Sequence, residues 1–404
     1  MAFNRAESIT LELDEEAYHL LEMLGDPLSL PQIRDRLSER FKRGFSYREI
    51  QQILNELIRY EFLELIEGEV YPLENSIHNN PVEGHLSAPE TVHLSLTSRC
   101  NMDCAFCYED HGRDEMETEQ ILGLIDELSS MGVFQLAIGG GEPLLRADLL
   151  EVIRHCNRRG IVPNLTTNGS LLTKPMIKEL NGIVGQINLS YNEHLDDGSR
   201  LRDVILLLDN EGIRTGINIL VTHNVVPHVA ERISEFAELP VEDIVVLRAK
   251  PGRDPAWYKE NKLRREDLGD LKEALETYEG RIRVDCSLTC LMKDLSPDIL
   301  QRNAVYGCVA GIRFCTIKSN GDVSPCSFFA TEDYRAGNTL EEGFRDIWNE
   351  SSVFQRFRNI GGMLKGKCGS CNIRDYCRGC RRIALEETGD LYSLDPLCNA
   401  GGVR

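Results

Sequence analysis

The 404-residue chain has no long apolar run and no excess of positive charge. A bilayer-spanning helix needs about 20 consecutive apolar residues, and no segment of the sequence provides them. The first residues show no basic-then-apolar signal, so we expect a cytoplasmic protein without a membrane partner. Aspartate and glutamate number 65 against 45 lysines and arginines, and the net charge of −20 argues against nucleic acid as a partner.

Cysteine, by contrast, is abundant, with 14 residues in the chain. Without a secretion signal, this number favours metal binding over disulfides. Cys100, Cys104 and Cys107 have the spacing C-x3-C-x2-C. Three thiolates on one loop can hold three irons of a [4Fe–4S] cluster and leave the fourth iron open to a ligand. A zinc site or three reduced thiols is the alternative, although zinc needs a fourth ligand and no further cysteine lies close by in sequence.

This cysteine loop follows a strand-like segment at 91–97, and a second strand at 134–138 runs into a glycine-rich turn at 139–146. Glycines let the backbone approach a ligand closely, and a neighbouring carboxylate can hold an ammonium group. Together these segments resemble the radical S-adenosylmethionine (radical SAM) superfamily. The resemblance implies a partial (β/α)6 barrel in which the methionine amino group of SAM is bound by Gly140, Gly141, Glu142 and Pro143.

Four more strands are predicted, alternating with amphipathic helices as parallel βαβ units require. They lie at 162–169, 186–192, 215–221 and 243–247. Ligands of such barrels bind at the carboxyl ends of the strands. The resemblance implies that the remaining SAM contacts come from these ends and from the cysteine loop, namely from Phe106, Thr167, Asn168, Ser190, Asn192 and Ile219. Asn192 stands where the family usually has an acid.

Eight further cysteines lie in the last quarter of the chain. The turn from Gly321 to Cys326 and the later C-x2-C-x5-C series resemble the SPASM domain, with two residues instead of three between Cys377 and Cys380. The resemblance implies two additional [4Fe–4S] clusters, so that the protein would hold three. Auxiliary cluster I would be bound by Cys308, Cys315, Cys326 and Cys380, and auxiliary cluster II by Cys368, Cys371, Cys377 and Cys398. Two structural zinc sites are the alternative.

The N-terminal part reads as helices followed by a hairpin, which together make a winged helix-turn-helix. A capping box at Ser46 and Glu49 begins its third helix. DNA binding is the usual role of this shape, but the third helix carries no basic stripe. The segment resembles the peptide-recognition element of maturases of ribosomally made peptides, which is related to the small chaperone of PQQ biosynthesis. This resemblance implies a leader peptide bound by strand addition and a helix groove.

We therefore predict an α/β protein with five parts. They are a recognition element (1–73), a linker (74–90), the radical SAM barrel (91–280), a bridging region (281–307) and the SPASM domain (308–404). The resemblance implies an enzyme that takes electrons from a ferredoxin- or flavodoxin-type donor. Its 5′-deoxyadenosyl radical would abstract hydrogen from a precursor peptide and so install an oxidative C–C or thioether crosslink. A maturase of the sulfatase-activating type, a peptide epimerase and, less favoured, a DNA-binding Fe–S sensor are the alternatives.

Three cysteines stand outside these sets: Cys156, Cys286 and Cys290. We expect Cys156 to be a packed small residue. We expect Cys286 and Cys290 to be buried, and the alternative is that this pair donates a hydrogen atom or contacts the substrate, with Cys290 as the candidate hydrogen donor. At the end of the sixth predicted strand, Arg248 and Lys250 are expected either to face carboxylates of SAM or substrate or to form an exposed salt bridge.

Overall fold

The architecture comes from a computed structural model of the chain. It describes residues 2–4, 9–11, 13–24, 28–60, 62–66, 69–72, 76–78, 81–82, 85–112, 114–193, 198–278, 282–291, 307–329, 331–371 and 374–398. Within these ranges, no helix combines the length and apolar character needed to cross a membrane.

The N-terminal part packs three helices and a small sheet around a hydrophobic core of its own. Asp14 caps the first helix by accepting a hydrogen bond from the Ala17 amide at 2.8 Å, and the capping box of Ser46 and Glu49 forms at the start of the third. Strand order in the small antiparallel sheet is β3-β5-β4. The elements are β1 (Ala2–Asn4), β2 (Ile9–Leu11), α1 (Glu15–Met23), β3 (Leu28–Ser29), α2 (Leu30–Phe41), α3 (Tyr47–Arg59), β4 (Leu63–Ile66), β5 (Glu69–Pro72), β6 (Ser76–His78), β7 (Pro81–Val82) and β8 (His85–Leu86).

A ten-stranded sheet forms the centre of the molecule. Seven neighbouring strands run parallel in chain order: β9 (Thr91–Thr97), β10 (Gln135–Gly140), β11 (Val162–Thr167), β12 (Gln186–Tyr191), β13 (Thr215–Val221), β14 (Asp243–Arg248) and β15 (Ile282–Val284). Beyond β9 the sheet continues with β16 (Phe314–Ile317), β17 (Asp322–Ser324) and β18 (Gly337–Asn338). Because β16 pairs in parallel with β9, the C-terminal part extends the barrel sheet directly.

Helices cover the parallel strands, whose apolar residues are buried as in other parallel sheets. Those of the barrel are α4 (Thr118–Met131), α5 (Leu149–Arg158), α6 (Lys174–Leu180), α7 (Ser199–Asn210), α8 (Val229–Ala237), α9 (Pro255–Asn261) and α10 (Leu268–Thr277). Those of the C-terminal part are α11 (Phe344–Glu350), α12 (Ser352–Arg358), α13 (Ile360–Met363), α14 (Gly366–Gly369), α15 (Arg374–Cys377) and α16 (Arg381–Thr388). Phe344, Trp348 and Phe354 share one core with the barrel strands.

A buried ion pair joins the cysteine loop to the C-terminal part. Lys318, which follows β16, places its Nζ 3.0 Å from Glu109 Oε2, and the two side chains are 2% and 0% exposed. Ser95 on β9 donates to the same carboxylate oxygen at 3.1 Å. The pair therefore holds the end of the cysteine loop against both β9 and the segment after β16.

Replacing Lys318 with Met should lower the free energy of unfolding by about 3–5 kcal/mol, because it leaves the buried Glu109 carboxylate uncompensated. Urea denaturation followed by tryptophan fluorescence measures this loss. Lys365→Met is the matched control: it breaks a pair with Asp390 in which the lysine is 64% exposed, so it should cost less than about 1 kcal/mol. Equal losses in the two variants would contradict the importance of the buried pair.

Candidate active site

A cavity of about 380 Å³ lies at the carboxyl ends of the barrel strands. Its wall is built from the cysteine loop, the glycine turn, the ends of β11 to β14 and the turn at Ser327 and Phe328. It brings together most of the residues that the sequence predicts to bind SAM and its cluster: Cys100, Cys104, Phe106, Cys107, Gly140, Gly141, Glu142, Thr167, Asn168, Ser190 and Asn192.

Two predicted SAM contacts do not line this cavity. Pro143 is buried at the start of a short 3-10 helix, Pro143–Leu145. Ile219 is packed in the hydrophobic core, whereas its neighbours Asn218 and Leu220 line the cavity. Side chains alternate between the two faces of a strand, which is why Asn218 and Leu220 face the cavity while the side chain of Ile219 faces the core.

The cysteine loop gathers three partly exposed thiols at the cavity wall. Burial raises the pKa of Cys104 to about 11, and the nearby Cys107 and Cys100 add to the increase. The Glu109 amide donates to the Cys107 sulfur at 3.4 Å, a contact that favours a thiolate. Three soft sulfur donors facing one cavity fit the three-iron attachment of a [4Fe–4S] cluster.

The glycine turn touches the backbone of the cysteine loop. The Gly141 amide donates to the Thr97 carbonyl and the Glu142 amide to the Arg99 carbonyl, each at 2.8 Å. A Cβ added to Gly141 would lie 2.0 Å from the Arg99 carbonyl oxygen, and one added to Gly140 would lie 2.5 Å from that of Thr97. Gly140 also has a φ of +105°, which disfavours any other residue. Only glycine allows the two loops to meet.

The Glu142 carboxylate is fully buried and fixed in orientation. It accepts hydrogen bonds from Thr167 Oγ1 at 2.7 Å, from the Asn168 amide at 3.0 Å and from the Leu144 amide at 3.1 Å. Burial raises its pKa, while these donors oppose the increase. Asn168 in turn donates through its side chain to Asn101 in the cysteine loop. The end of β11 thus positions both the carboxylate and the loop that would meet SAM.

Several cavity residues were not predicted from the sequence, among them His93, Tyr108, Ser327 and Phe328. His93 Nδ1 lies 3.0 Å from Ser327 Oγ, and burial lowers the pKa of His93 to about 3, so its imidazole is neutral. The rings of Tyr108 and Phe328 approach to 4.6 Å between centroids. Side-chain alternation along β9 predicts that His93 faces opposite to Val92 and Leu94. No pattern in the sequence indicates that Ser327 and Phe328, the SPASM turn, reach the wall of the cavity.

The cysteines of the bridging region and the C-terminal part fall into two groups. Each group is defined by which thiols raise the pKa of one another. Cys308 and Cys380 both raise the pKa of Cys326, which burial brings to about 12. The same two cysteines act on Cys286, whose pKa burial raises well above its usual value. The first group is therefore Cys286, Cys308, Cys326 and Cys380.

The second group contains Cys368, Cys377 and Cys398. Burial raises the pKa of Cys368, and Cys398 and Cys377 raise that pKa further. Cys371 lies one turn beyond Cys368, to whose carbonyl its amide donates at 3.3 Å. Cys290 is buried beside this group: burial raises its pKa, and Asp395, Cys398 and Cys377 add to the increase.

Cys315 is not brought to the predicted auxiliary cluster I. It is fully buried on β16, opposite Val92 of β9, in the main hydrophobic core. Burial raises its pKa, and among the described residues only Arg358 is found to act on it further. Cys308 and Cys380 influence the pKa of both Cys326 and Cys286, whereas Cys315 is not among the thiols that influence either. Cys156, as expected, is packed in the main core.

Arg248 and Lys250 line the cavity, but both are committed to buried ion pairs. Arg248 contacts both Asp395 carboxylate oxygens at 3.1–3.2 Å, and the two side chains are 3% and 1% exposed. Lys250 pairs with Asp285. The expectation of an exposed salt bridge was therefore wrong, because both carboxylates lie in segments that follow the sixth strand and cover its end.

Comparisons with known proteins agree with this geometry. The sequence model of the radical SAM superfamily matches residues 94–190, and that of SPASM, an iron-sulfur cluster-binding domain, matches residues 308–381. The PqqA peptide cyclase of Xanthomonas axonopodis pv. citri is 30% identical over 340 residues, 78% of this chain and 89% of the relative. The AdoMet-dependent heme synthase of Methanosarcina barkeri is 29% identical over 348 residues, 77% and 97% respectively.

Solved structures share the fold. Streptococcus suis SuiB bound to S-adenosylmethionine superposes with a TM-score of 0.70 and 19% identity over 98% of this chain and 96% of that one. Native anSMEcpe with bound AdoMet and the Cp18Cys peptide superposes with a TM-score of 0.60 and 19% sequence identity. The match covers 77% of this chain and 94% of that one. The chain belongs to the radical SAM superfamily. Within it, the chain is a radical SAM/SPASM enzyme, so the predicted α/β fold class and the use of SAM and [4Fe–4S] clusters are confirmed.

Replacing Gly141 with Ala should weaken SAM binding by about tenfold or more, because the new methyl group would push the glycine turn away from the cysteine loop. Equilibrium dialysis of labelled SAM against anaerobically reconstituted enzyme measures the change. Gly123→Ala, on an exposed face of α4 with nothing within 4 Å, is the control and should bind SAM as the parent does. Unchanged affinity in Gly141→Ala would show that the contact between the loops does not shape the SAM site.

Proposed function

We propose that this enzyme modifies a ribosomally made precursor peptide at the cavity of the barrel, and that the modification is an oxidative crosslink. The observation that carries the proposal is the assembly of the cysteine loop, glycine turn and SPASM turn around one cavity. Two relatives support a peptide substrate: the PqqA peptide cyclase, and SuiB, which was crystallised bound to its precursor peptide SuiA.

When bound, SAM and its [4Fe–4S] cluster supply the one-electron chemistry that takes a hydrogen atom from an unactivated carbon. Cys100, Cys104 and Cys107 would hold the cluster, and the oriented Glu142 carboxylate would hold the SAM amino group. Tyr108 and Phe328 form an aromatic wall that keeps water from the substrate. His93 is neutral and hydrogen-bonded to Ser327, so it lines the cavity as an uncharged polar group.

The N-terminal part is proposed as the site that binds the leader segment of the precursor, within the five-part division predicted above. Among the described residues, β4 pairs only with β5, so the other backbone edge of β4 is open to an added strand. This part has its own hydrophobic core, as a separable recognition element requires. The fold likeness to SuiB over 98% of the chain includes this region.

We further propose that the C-terminal part holds two auxiliary clusters, for three in all. The grouping of thiols favours Cys286, Cys308, Cys326 and Cys380 for auxiliary cluster I, with Cys286 in the place first given to Cys315. It favours Cys368, Cys377 and Cys398 for auxiliary cluster II, and Cys371, one turn beyond Cys368, is the fourth ligand that the resemblance implies. An exposed low-potential donor of the ferredoxin or flavodoxin type would supply the electrons.

Iron content tests this assignment. The reconstituted enzyme should hold about twelve iron atoms per chain, and Cys286→Ala should lose up to about four of them while Cys315→Ala keeps all. The two substitutions are chemically identical, so they control for each other. Iron loss in Cys315→Ala, with full content in Cys286→Ala, would return Cys315 to the ligand set. About four atoms in the parent would dismiss both auxiliary clusters.

Mass spectrometry tests the substrate class. Anaerobic co-expression with a short peptide encoded by a neighbouring reading frame should convert that peptide to a product lighter by two hydrogens, as a crosslink requires. The Cys104→Ala enzyme is the control and should leave the peptide unchanged. Unchanged mass with deuterium uptake would replace crosslinking by epimerisation. Because one relative is a heme synthase, a porphyrin is tested as a second substrate. Conversion of the porphyrin but not of the peptide would overturn the peptide proposal.

A further inference from the structure

Lys250 and Asp285 form a buried ion pair at the edge of the cavity. Lys250 follows β14 and Asp285 follows β15, and these neighbouring strands are parallel, so their carboxyl ends meet. The two side chains are 11% and 9% exposed. A charge pair held in such surroundings is poorly screened by water.

The pair has a fixed geometry on both sides. Besides Lys250, the Asp285 carboxylate accepts a hydrogen bond from the Ser287 amide at 2.7 Å and another from the Ser287 hydroxyl. The Lys250 Nζ lies 4.9 Å from the centre of the Phe328 ring, which faces the cavity. Each charge is therefore held by at least two contacts.

On its far side the pair meets the first group of cysteines. Asp285 directly precedes Cys286, and its bonds to Ser287 orient the start of the turn Cys286–Leu291. Burial alone would lower the pKa of Lys250. The Asp285 carboxylate and, after it, the thiols of Cys286 and Cys380 outweigh burial and raise that pKa. The pair thus stands between the cavity and two thiols assigned to auxiliary cluster I.

A fixed charge beside an iron-sulfur cluster changes the energy of adding an electron to it. A nearby ammonium stabilises the reduced cluster, and a nearby carboxylate destabilises it. Here the two opposite charges almost cancel, so removing either one should have a larger effect than removing both.

We propose that Lys250 and Asp285 exert opposed and nearly cancelling electrostatic effects on auxiliary cluster I, so that the intact pair keeps its reduction potential between the values that either charge alone would give. The proposal rests on the proposed function, in which that cluster is bound by Cys286, Cys308, Cys326 and Cys380. Both residues are positioning residues in this role: they act on the cluster through its surroundings and do not ligate it.

The test is an anaerobic redox titration followed by electron paramagnetic resonance. It is carried out on full-length enzyme in which Cys100, Cys104 and Cys107 are changed to Ala, so that the SAM cluster does not contribute a signal. Lys250→Met should make the midpoint more negative, and Asp285→Asn should make it more positive. Each change should alter the ratio of reduced to oxidised cluster at the parent midpoint by about tenfold, which is about 59 mV for one electron. The double variant should return close to the parent value.

Lys262→Met is the matched control. Lys262 lies in the barrel and forms an ion pair at 2.6 Å with Glu387 of the C-terminal part. Removing the Lys262 charge should leave the midpoint unchanged. Shifts of the same sign in both single variants, or no shift in either, would overturn the proposal because a purely structural pair produces no opposed pattern. Iron content is measured on each sample: the absence of auxiliary iron in the parent would instead refute the proposed function.

Discussion

The contact between the glycine turn and the cysteine loop is the constraint on which the rest of the site depends. Two backbone hydrogen bonds of 2.8 Å tie Gly141 and Glu142 to Thr97 and Arg99. They fix where the three thiols stand relative to the buried carboxylate. Because no side chain fits at Gly140 or Gly141, any other residue there would separate the glycine turn from the cysteine loop.

The second constraint is that the SPASM part shares a continuous sheet and a buried ion pair with the barrel. Strand β16 extends the sheet beside β9, and Lys318 holds Glu109 at the end of the cysteine loop. Arg248 contacts Asp395, whose carboxylate also accepts the Cys380 amide at 2.9 Å. The chemistry at the cavity and the environment of the auxiliary cysteines are consequently linked through a few buried charges.

Much of this architecture could be predicted from the sequence, because the strands, helices and loops concerned are determined by local residue patterns. Apolar strands alternating with amphipathic helices predicted six parallel strands, and the cysteine loop and glycine turn carried the family resemblance that implied a SAM site. The errors concern contacts between distant segments. Cys315 lies only seven residues after Cys308, yet its strand carries it into the core, whereas Cys286 comes from the turn after β15. The partners of Arg248 and Lys250 likewise come from segments that no local pattern connects to β14.

The central claim is that the cavity of the barrel takes a hydrogen atom from a peptide carbon. The most direct measurement is isotope transfer from a fully deuterated precursor peptide into the 5′-deoxyadenosine released from SAM. The account predicts that deuterium appears in the 5′-deoxyadenosine whenever the peptide is converted, and that none appears with the Cys104→Ala enzyme. Peptide conversion accompanied only by unlabelled 5′-deoxyadenosine would contradict it.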